Sequence, residues 1–322
     1  MTSNPSPAPQ QPASRPHLPR YLNRYVTPGP LEEWLWHLTT PLEEYDLKFA
    51  FDLPPYALAT NGVVLTPLIP SLHARRLYRL YSTHTAGFAY LPYGPFTTFE
   101  SFLTFIEIRR RQPGSFLFVV YDRSLEFDDG RSEADGLREE RVAGIVGIKS
   151  SEPERMAEIG HLHIPAPFQR SHVFTHAAYL LLRWLFSSPL PSVQPSSSSL
   201  TTFRGLGLRR VQWAAGSRNA ASINAALRLG FQMEASDQQW ERPLAKDRGK
   251  VEGVEVPEFV QGQWREREEE FGLGRHSALL SMGWDRWEKE GRAKLEGMMA
   301  ERGVGRRKAN DVLGDLLDAC TQ

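Results

Sequence analysis

A strand-like segment, a short polar turn and a long apolar helix follow one another in the middle of this chain. Glu158–Ile164 has the residue pattern of a strand, and Thr175–Phe186 carries alanine and leucine side chains near helical spacing. The second segment is the most apolar helical pattern in the sequence. This succession limits the chain to folds in which helices pack against a sheet.

Other elements alternate on both sides of this unit. Strands are predicted at Val63–Leu68, Ser115–Tyr121, Arg141–Ile148, Arg209–Ala215 and, as the last strand, near Ser277–Met282. Helices are predicted at Ser71–Tyr81 (with a serine cap), Phe99–Arg110, Ala220–Leu229 and Trp284–Met299. Strands and helices in one mixed order predict an α/β or α+β sandwich.

Low-complexity segments divide the chain. Residues 1–30 are rich in proline, serine and glutamine, which predicts a disordered leader. Residues 31–55 are predicted to be an N-terminal extension packed on the main domain, which spans 56–300. We expect loop insertions in that domain at about 187–202 and 246–270, and a tail at 301–322.

Composition excludes several classes of protein. The 38 basic and 38 acidic side chains cancel, so we expect no general attraction to nucleic acid or to an anionic membrane. Cys320 is the single cysteine, which rules out an internal disulfide and a cysteine-based zinc site. No apolar run approaches the roughly 20 residues that span a bilayer. We therefore expect a soluble, cytoplasmic protein.

The turn before the apolar helix is a candidate anion site. A strand that leads through a turn into a helix presents unpaired backbone N–H groups at the helix start, and the helix dipole adds positive potential there. Such a site suits a pyrophosphate. Gln169 and Arg170 flank the turn, and Ser171 and Thr175 offer hydroxyl donors.

Four segments, in order, resemble the GNAT acetyltransferase superfamily, in particular its branch of ribosomal-protein N-terminal acetyltransferases. The cofactor motif is matched by Gln-Arg-Ser-His-Val-Phe-Thr-His-Ala at 169–177, and a later motif by Asn219, Ser222 and Gly230-Phe231. The closing strand and tryptophan helix are matched by 274–287, and a weaker match is Tyr-Gly-Pro-Phe at 93–96. Together the matches cover roughly residues 60–300.

The resemblance implies an α+β fold: a mixed, mostly antiparallel sheet with helices on both faces, in three α/β/α layers. It also implies acetyl-CoA as co-substrate, bound where two neighbouring strands splay apart. The residues implied in cofactor binding are His163, Ile164, Gln169, Arg170, Ser171, His172, Val173, Phe174, Thr175, Asn219 and Ser222. His172 and Phe174 stand where the superfamily has small residues, and Ala226 stands where many members have a tyrosine acid.

The implied reaction moves an acetyl group directly to a primary amine, on a small molecule or a protein N-terminus. Glu158 and His161 are equal candidates for the base that takes the amine proton. Strand alternation places Glu158 on the face opposite His161 and His163 unless a bulge intervenes. Ser222 is the positional substitute for the missing tyrosine acid, and water is another candidate.

Two other functions remain open at this stage. A relative that keeps the fold only to bind acyl-CoA is compatible with Phe174 and Ala226. A metalloenzyme is the less favoured reading, in which four imidazoles, at positions 161, 163, 172 and 176, converge on zinc. We expect no metal, and a monomer or homodimer.

Overall fold

A computed structural model describes residues 21–22, 36–54, 57–123, 142–190, 192–193, 202–244, 253–263, 265–266 and 273–302. The predicted leader, 1–30, lies outside these ranges except for 21–22, and the predicted tail, 301–322, except for 301–302. Cys320 and much of the two predicted insertions also lie outside the described residues.

Strands and helices alternate along most of the described chain. The strands are β1 (Leu58–Ala59), β2 (Val63–Pro67), β3 (Ser115–Asp122), β4 (Val142–Ser151), β5 (Met156–His163), β6 (Ser192–Val193), β7 (Thr202–Phe203), β8 (Arg210–Gly216), β9 (Gln232–Leu244) and β10 (Leu273–Gly283). The helices are α1 (Trp36–Thr39), α2 (Pro70–Thr83), α3 (Phe99–Arg110), α4 (His172–Phe186), α5 (Ala220–Leu229), α6 (Trp284–Arg286) and α7 (Arg292–Arg302). A π-helical turn, Trp287–Gly291, joins α6 to α7.

One eight-stranded sheet organises the domain, in the order β1-β2-β3-β4-β5-β8-β10-β9. Neighbouring strands are antiparallel except β5 and β8, which run parallel. A parallel pair needs a crossover connection, and α4 lies in the segment that provides it. The predicted mixed, mostly antiparallel sheet is confirmed.

The sheet separates two apolar cores. One core lies between the sheet and the helices α4, α5 and α7, and includes Trp184, Trp213 and Leu295. The other lies between the sheet and the helices α2 and α3, and includes Leu77 and Phe102. Adjacent residues of β2 and β3 alternate between the two cores, as the two-residue period of a strand requires. The predicted three-layer α/β/α architecture is therefore confirmed.

Some element boundaries differ from the sequence predictions. The serine cap predicted for α2 is wrong: Pro70 occupies the first turn, and the capping residue Ile69 makes no side-chain cap. Proline starts a helix readily because its missing N–H would have no intrahelical partner there. The helix predicted from Thr175 begins earlier, at His172.

The long edge strand β9 was not predicted. It lies at the sheet edge and most of its side chains are exposed, so it lacks the apolar alternation that marks a half-buried strand. Within the described ranges, no helix combines the length and apolar character needed to cross a membrane.

The segment before β1 is fastened to the end of α3 by buried polar contacts. His37 lies 3.0 Å from the carboxylate of Glu107 and 2.7 Å from the Tyr45 hydroxyl. Arg110 and Arg111 also donate to Glu107, each at 2.7 Å. Burial raises the pKa of Glu107, but the hydrogen bonds from these partners outweigh it and hold the pKa well below 4.5.

Replacing the buried carboxylate should weaken the fold. We expect Glu107→Gln to lower the free energy of unfolding by about 3 kcal/mol, because buried cations lose their partner. The depressed pKa stabilises the native state above the unfolded value of 4.5, and this contribution is lost as the pH falls further. Denaturant titrations at pH 7 and pH 4 should show a smaller pH dependence in the variant. Glu100→Gln, on the exposed face of the same helix, is the control.

Candidate active site

The parallel strands β5 and β8 pair over only part of their length. Their ladder runs from Met156 opposite Arg210 to Ile159 opposite Trp213, and both strands then continue without pairing to each other. The edges of β5 and β8 that face each other beyond this point therefore have no strand partner. Such a splay leaves backbone donors and acceptors available to a ligand lying between the strands.

A bulge in β5 accompanies the splay. Gly147 pairs with Gly160 and Ile145 with His163, so two residues of β5, His161 and Leu162, oppose a single residue of β4. His161 has a positive φ of 50°. The extra residue shifts the alternation of side chains along the rest of the strand.

The bulge brings the predicted catalytic residues to one face of the sheet. Glu158 forms an ion pair with Lys149, while His161 lies against Tyr93 and Phe105 on the α3 side. Regular alternation would have placed Glu158 on the face opposite His161 and His163. The prediction made an exception for a bulge, and β5 contains such a bulge.

His161 lies in an apolar and cationic environment. The residue is 8% exposed, and neither ring nitrogen has a hydrogen-bond partner in the described part of the chain. Burial, followed by the positive charges of Arg109, Lys149 and Arg242, holds the pKa of His161 well below 6.5. The imidazole is therefore neutral near pH 7, and taking up a proton there is costly.

His163 is enclosed by aromatic rings. Its ring stacks on Tyr81 at 4.4 Å and contacts Phe88 at 4.0 Å, and burial lowers its pKa to about 4. The side chain thus belongs to the α2 core, and only its backbone borders the splay. The following carbonyl, of Ile164, accepts a hydrogen bond of 2.8 Å from Gln169, which closes the turn into α4.

The start of α4 follows the turn predicted as an anion site, but the Ser171 hydroxyl already donates to the Phe168 carbonyl at 2.6 Å. Ser171 is the capping residue, and its hydroxyl accepts from the N–H of Val173 at 3.3 Å. Arg170, with a φ of 53°, is exposed on the turn. Val173 and Thr175 are buried, so the Thr175 hydroxyl does not lie on the turn surface.

The His172 ring points inward from this turn. Its Nε2 lies 3.1 Å from the Gly62 carbonyl oxygen and 3.1 Å from the Asp122 carboxylate. The side chain fastens α4 to the turn before β2 and to the end of β3. The His172 ring therefore leaves the space outside the turn free, as a small residue at this position would.

Phe174 and the start of α5 border the splay from the β8 side. Phe174 meets Trp213 edge to face at 6.1 Å, and the Arg228 guanidinium lies 5.7 Å from the Phe174 ring. Asn219 caps α5 by accepting from the N–H of Ser222 at 3.1 Å. The Ser222 hydroxyl accepts from the Trp213 indole at 3.0 Å, so its own proton is free for another acceptor.

Glu158 projects from β5 beside residues that the sequence did not single out. Lys149 on β4 lies 3.7 Å from one carboxylate oxygen, and Gln212 on β8 donates to the other at 3.4 Å. The side chain of Glu158 is 14% exposed and that of Lys149 is 39% exposed. Lys149 is a lone charge after the apolar run of β4, a signal too common to identify it from sequence.

The four imidazoles do not converge. His161 and His163 lie among the aromatic rings on the α2 and α3 side, whereas His172 and His176 contact the segment before β2. The His176 Nδ1 atom and the Thr60 hydroxyl oxygen are 2.7 Å apart and share a hydrogen bond. Within the described ranges, no three His, Cys, Asp or Glu side chains are grouped to hold a metal ion. This arrangement argues against the zinc hypothesis.

The sequence matches a known protein family over the range that contains this site. A family model described as an acetyltransferase (GNAT) domain matches residues 63–232, more than half of the chain. The chain belongs to the GNAT acetyltransferase family. The matched range runs from β2 to the start of β9 and contains the splayed strands and both flanking helix starts.

Solved structures share the GNAT fold. A probable GNAT-family acetyltransferase from Chromobacterium violaceum ATCC 12472 is 23% identical, with a TM-score of 0.51, covering 86% of this chain and 100% of that chain. A GCN5-related N-acetyltransferase from Brucella melitensis is 20% identical, with a TM-score of 0.51, covering 77% of this chain and 89% of that chain. A search among curated proteins found no match.

The bulge in the GNAT domain depends on a small residue at position 147. A Cβ added to Gly147 would lie 2.9 Å from the Phe116 carbonyl oxygen and 3.1 Å from the His161 ring. We expect Gly147→Ala to lower the free energy of unfolding by about 1–3 kcal/mol, through overpacking. Gly297→Ala in α7, where an added Cβ meets nothing within 4 Å, should be neutral or slightly stabilising. Chemical denaturation of both variants measures the difference, and equal stabilities would contradict the role given to Gly147.

Proposed function

We propose that this GNAT-domain protein transfers an acetyl group from acetyl-CoA directly to a primary amine. The partial pairing of β5 with β8, between two capped helix starts, is the observation that carries the proposal. The family match supports acetyl transfer in general, and the acceptor and the residue roles are our inference. The acceptor is a small-molecule amine or a protein N-terminus, the second by resemblance to the ribosomal-protein branch.

The chain offers two kinds of contact to acetyl-CoA. The unpaired edge of β5 beyond Ile159 can hydrogen-bond to the amide groups of an extended chain, much as a neighbouring strand would. The start of α4 offers a pyrophosphate positive helix-dipole potential and the backbone N–H groups that its own turn leaves unbonded. The N–H groups of Gln169 and Val173 are already bonded to Ala166 and Ser171. When bound, the cofactor supplies a thioester whose acetyl carbon is open to attack. We propose that backbone N–H groups at the end of β5 polarise the thioester carbonyl.

Glu158 is the better candidate for the base. A base must take up a proton during the reaction, and burial and three nearby cations make proton uptake by His161 costly. Its ring nitrogens are also closed to solvent. Glu158 is partly exposed, is oriented by Gln212, and lies where the splay begins. We therefore propose that Glu158 takes the amine proton, directly or through a water molecule.

Ser222 is proposed to protonate the departing thiolate. Ala226, at the position of the usual tyrosine acid, is buried and carries no proton donor. The Ser222 hydroxyl lies at the start of α5, half-buried, and the Trp213 indole fixes its oxygen. Because the indole occupies an acceptor position of the oxygen, the hydroxyl proton can be directed elsewhere.

Several broader expectations stay part of the proposal. We propose a cytoplasmic protein, working as a monomer or homodimer without a metal, in keeping with its balanced charge and single cysteine. The domain is proposed to span 56–300, with residues 31–55 packed on it. Tyr45 and Phe49 of that extension are buried in the α4 core.

Removing the proposed base should slow turnover and leave cofactor binding intact. We expect Glu158→Gln to lower kcat by about 10²- to 10⁴-fold, the usual contribution of general base catalysis. A thiol-release assay over a panel of amines and N-terminal peptides measures turnover, and calorimetric titration measures acetyl-CoA affinity. Glu154→Gln, in the exposed turn before β5, is the matched control and should retain activity.

The same measurements separate enzyme from binding module. A protein that binds acetyl-CoA but releases no thiol with any amine would be the non-catalytic alternative. A chain that fails to bind acetyl-CoA at high concentration would overturn both. If Glu158→Gln keeps full activity while His161→Asn abolishes it, the assignment of the base is wrong.

Removing the proposed acid should have a smaller effect, because a CoA thiol is itself fairly acidic. We expect Ser222→Ala to lower kcat by about 10-fold, less than the 10²- to 10⁴-fold typical of acid–base groups. The variant also leaves the Trp213 N–H without its acceptor, so a stability loss of about 1–3 kcal/mol is expected. Trp213→Phe breaks the same hydrogen bond but keeps the hydroxyl. An equal loss of kcat in both variants would show that Ser222 acts only through structure.

A further inference from the structure

Glu158 forms a pair of opposite charges with Lys149 on one face of the sheet. The Lys149 ammonium lies 3.7 Å from the Glu158 carboxylate, which is within ion-pair range but beyond hydrogen-bonding distance. Lys149 makes no hydrogen bond through its ammonium to any residue in the described ranges, and its side chain is 39% exposed. Its N–H donors are therefore open to an anion arriving from solvent.

Cations outnumber anions around this pair. Arg109 of α3 and Arg242 of β9 lie close enough that their charges, with that of Lys149, all act on His161. Arg109 stacks on Phe105 at 5.2 Å, and Arg242 pairs with its neighbour Glu241. At Lys149 itself, burial and then Arg242 and Arg109 lower the pKa, while Glu158 and Glu241 raise it. Both arginines therefore favour an anion at the Lys149 ammonium.

Open space lies between Glu158 and the bulge. A Cβ added to Gly160 would meet only the Glu158 Oε1 atom, at 3.5 Å, and nothing else within 4 Å. Gly160 pairs with Gly147, where an added Cβ would meet Leu117, Phe116 and His161, so the space lies at Gly160 alone. A small group can therefore approach Glu158 without displacing a side chain at Gly160.

We infer that the acceptor is an amine that also carries a carboxylate a few bonds from the reacting nitrogen. Its ammonium lies on Glu158, in the space beside Gly160, and its carboxylate lies on the Lys149 ammonium. The two opposite charges of such an acceptor match the Glu158–Lys149 pair head to tail. This inference rests on the proposed function, because it takes Glu158 as the group that receives the amine.

The arrangement also selects against other amines. A polyamine would bring a second positive charge to a region that already holds Lys149, Arg109 and Arg242, and like charges at short range repel. An amine without a carboxylate would lie on Glu158 but add no anion for the Lys149 ammonium. A carboxylate matches the single ammonium.

Two sources share this chemistry, a free amino acid and a protein N-terminus whose first side chain is acidic. The test uses the full chain and acetyl-CoA in a thiol-release assay with matched acceptors. The pairs are glutamate and its carboxamides, and peptides that begin with Asp or Glu and with Asn or Gln; spermidine is the polyamine. We expect kcat/KM to favour the carboxylate member by about 10-fold or more, the effect of one charge-assisted hydrogen bond. The acceptor class that is acetylated, free amino acid or peptide, identifies the source.

Lys149 variants test the assignment. Lys149→Met should lower kcat/KM for carboxylate acceptors by about 10- to 100-fold more than for the carboxamides, mainly through KM, because any effect of losing the ion pair with Glu158 is common to both classes. Lys149→Arg should restore part of the preference. Lys289→Met, an exposed lysine on the turn between α6 and α7, should change neither. A structural role for Lys149 would lower both acceptor classes alike.

The outcomes are distinct. Equal or better use of the carboxamides or of spermidine, or an equal loss on both acceptor classes in Lys149→Met, overturns the inference. If no acceptor releases thiol, the proposed function fails, and calorimetric titration of the same acceptors into the protein with CoA decides the subsite. Binding of the carboxylate member that is lost in Lys149→Met supports the subsite, and equal binding of the carboxamide overturns it.

Discussion

The loss of pairing between β5 and β8 after Ile159 and Trp213 is the constraint on which the site depends. A parallel pair continued to its full length would satisfy the backbone of both strands and leave nothing for a ligand. The bulge at His161 accompanies this loss of pairing. Its extra residue bends β5 and reverses the face of the sheet to which the following side chains point. One local irregularity thus opens a backbone edge and places Glu158, His161 and His163 on one face.

Electrostatics then divides the roles among these residues. His161 and His163 are both buried and neutral, the first among cations and the second among aromatic rings. Glu158 remains partly exposed, between Lys149 and Gln212. We therefore propose Glu158, at the mouth of the splay, as the group that exchanges a proton with the substrate, and His161 as a packing residue.

Several residues of the cofactor motif hold the fold together. His172 bonds to Gly62 and Asp122, Gln169 closes the turn at Ile164, and Asn219 caps α5. These contacts fix the two helix starts relative to the sheet, which is a condition for backbone N–H groups to point at a common ligand. In such a site the backbone provides the recognition and the side chains position the backbone. A histidine at position 172 is compatible with this because its ring leaves the turn for the interior.

The sequence alone determined the layers of the fold and the position of the central unit. Periodic apolar patterns such as those of Ser115–Tyr121 and Thr175–Phe186 arise from burial on one or both faces, and burial can be predicted locally. The capping residue Asn219 located the start of α5, whereas α4 begins at His172 and not at the predicted Thr175. Only the tertiary structure decided which side chains share a face. The bulge changes the phase of β5, the pairing of β4 with β5 brings Lys149 to Glu158, and the polar edge strand β9 supplies Arg242. These relations join residues far apart in the chain, and no local pattern contains them.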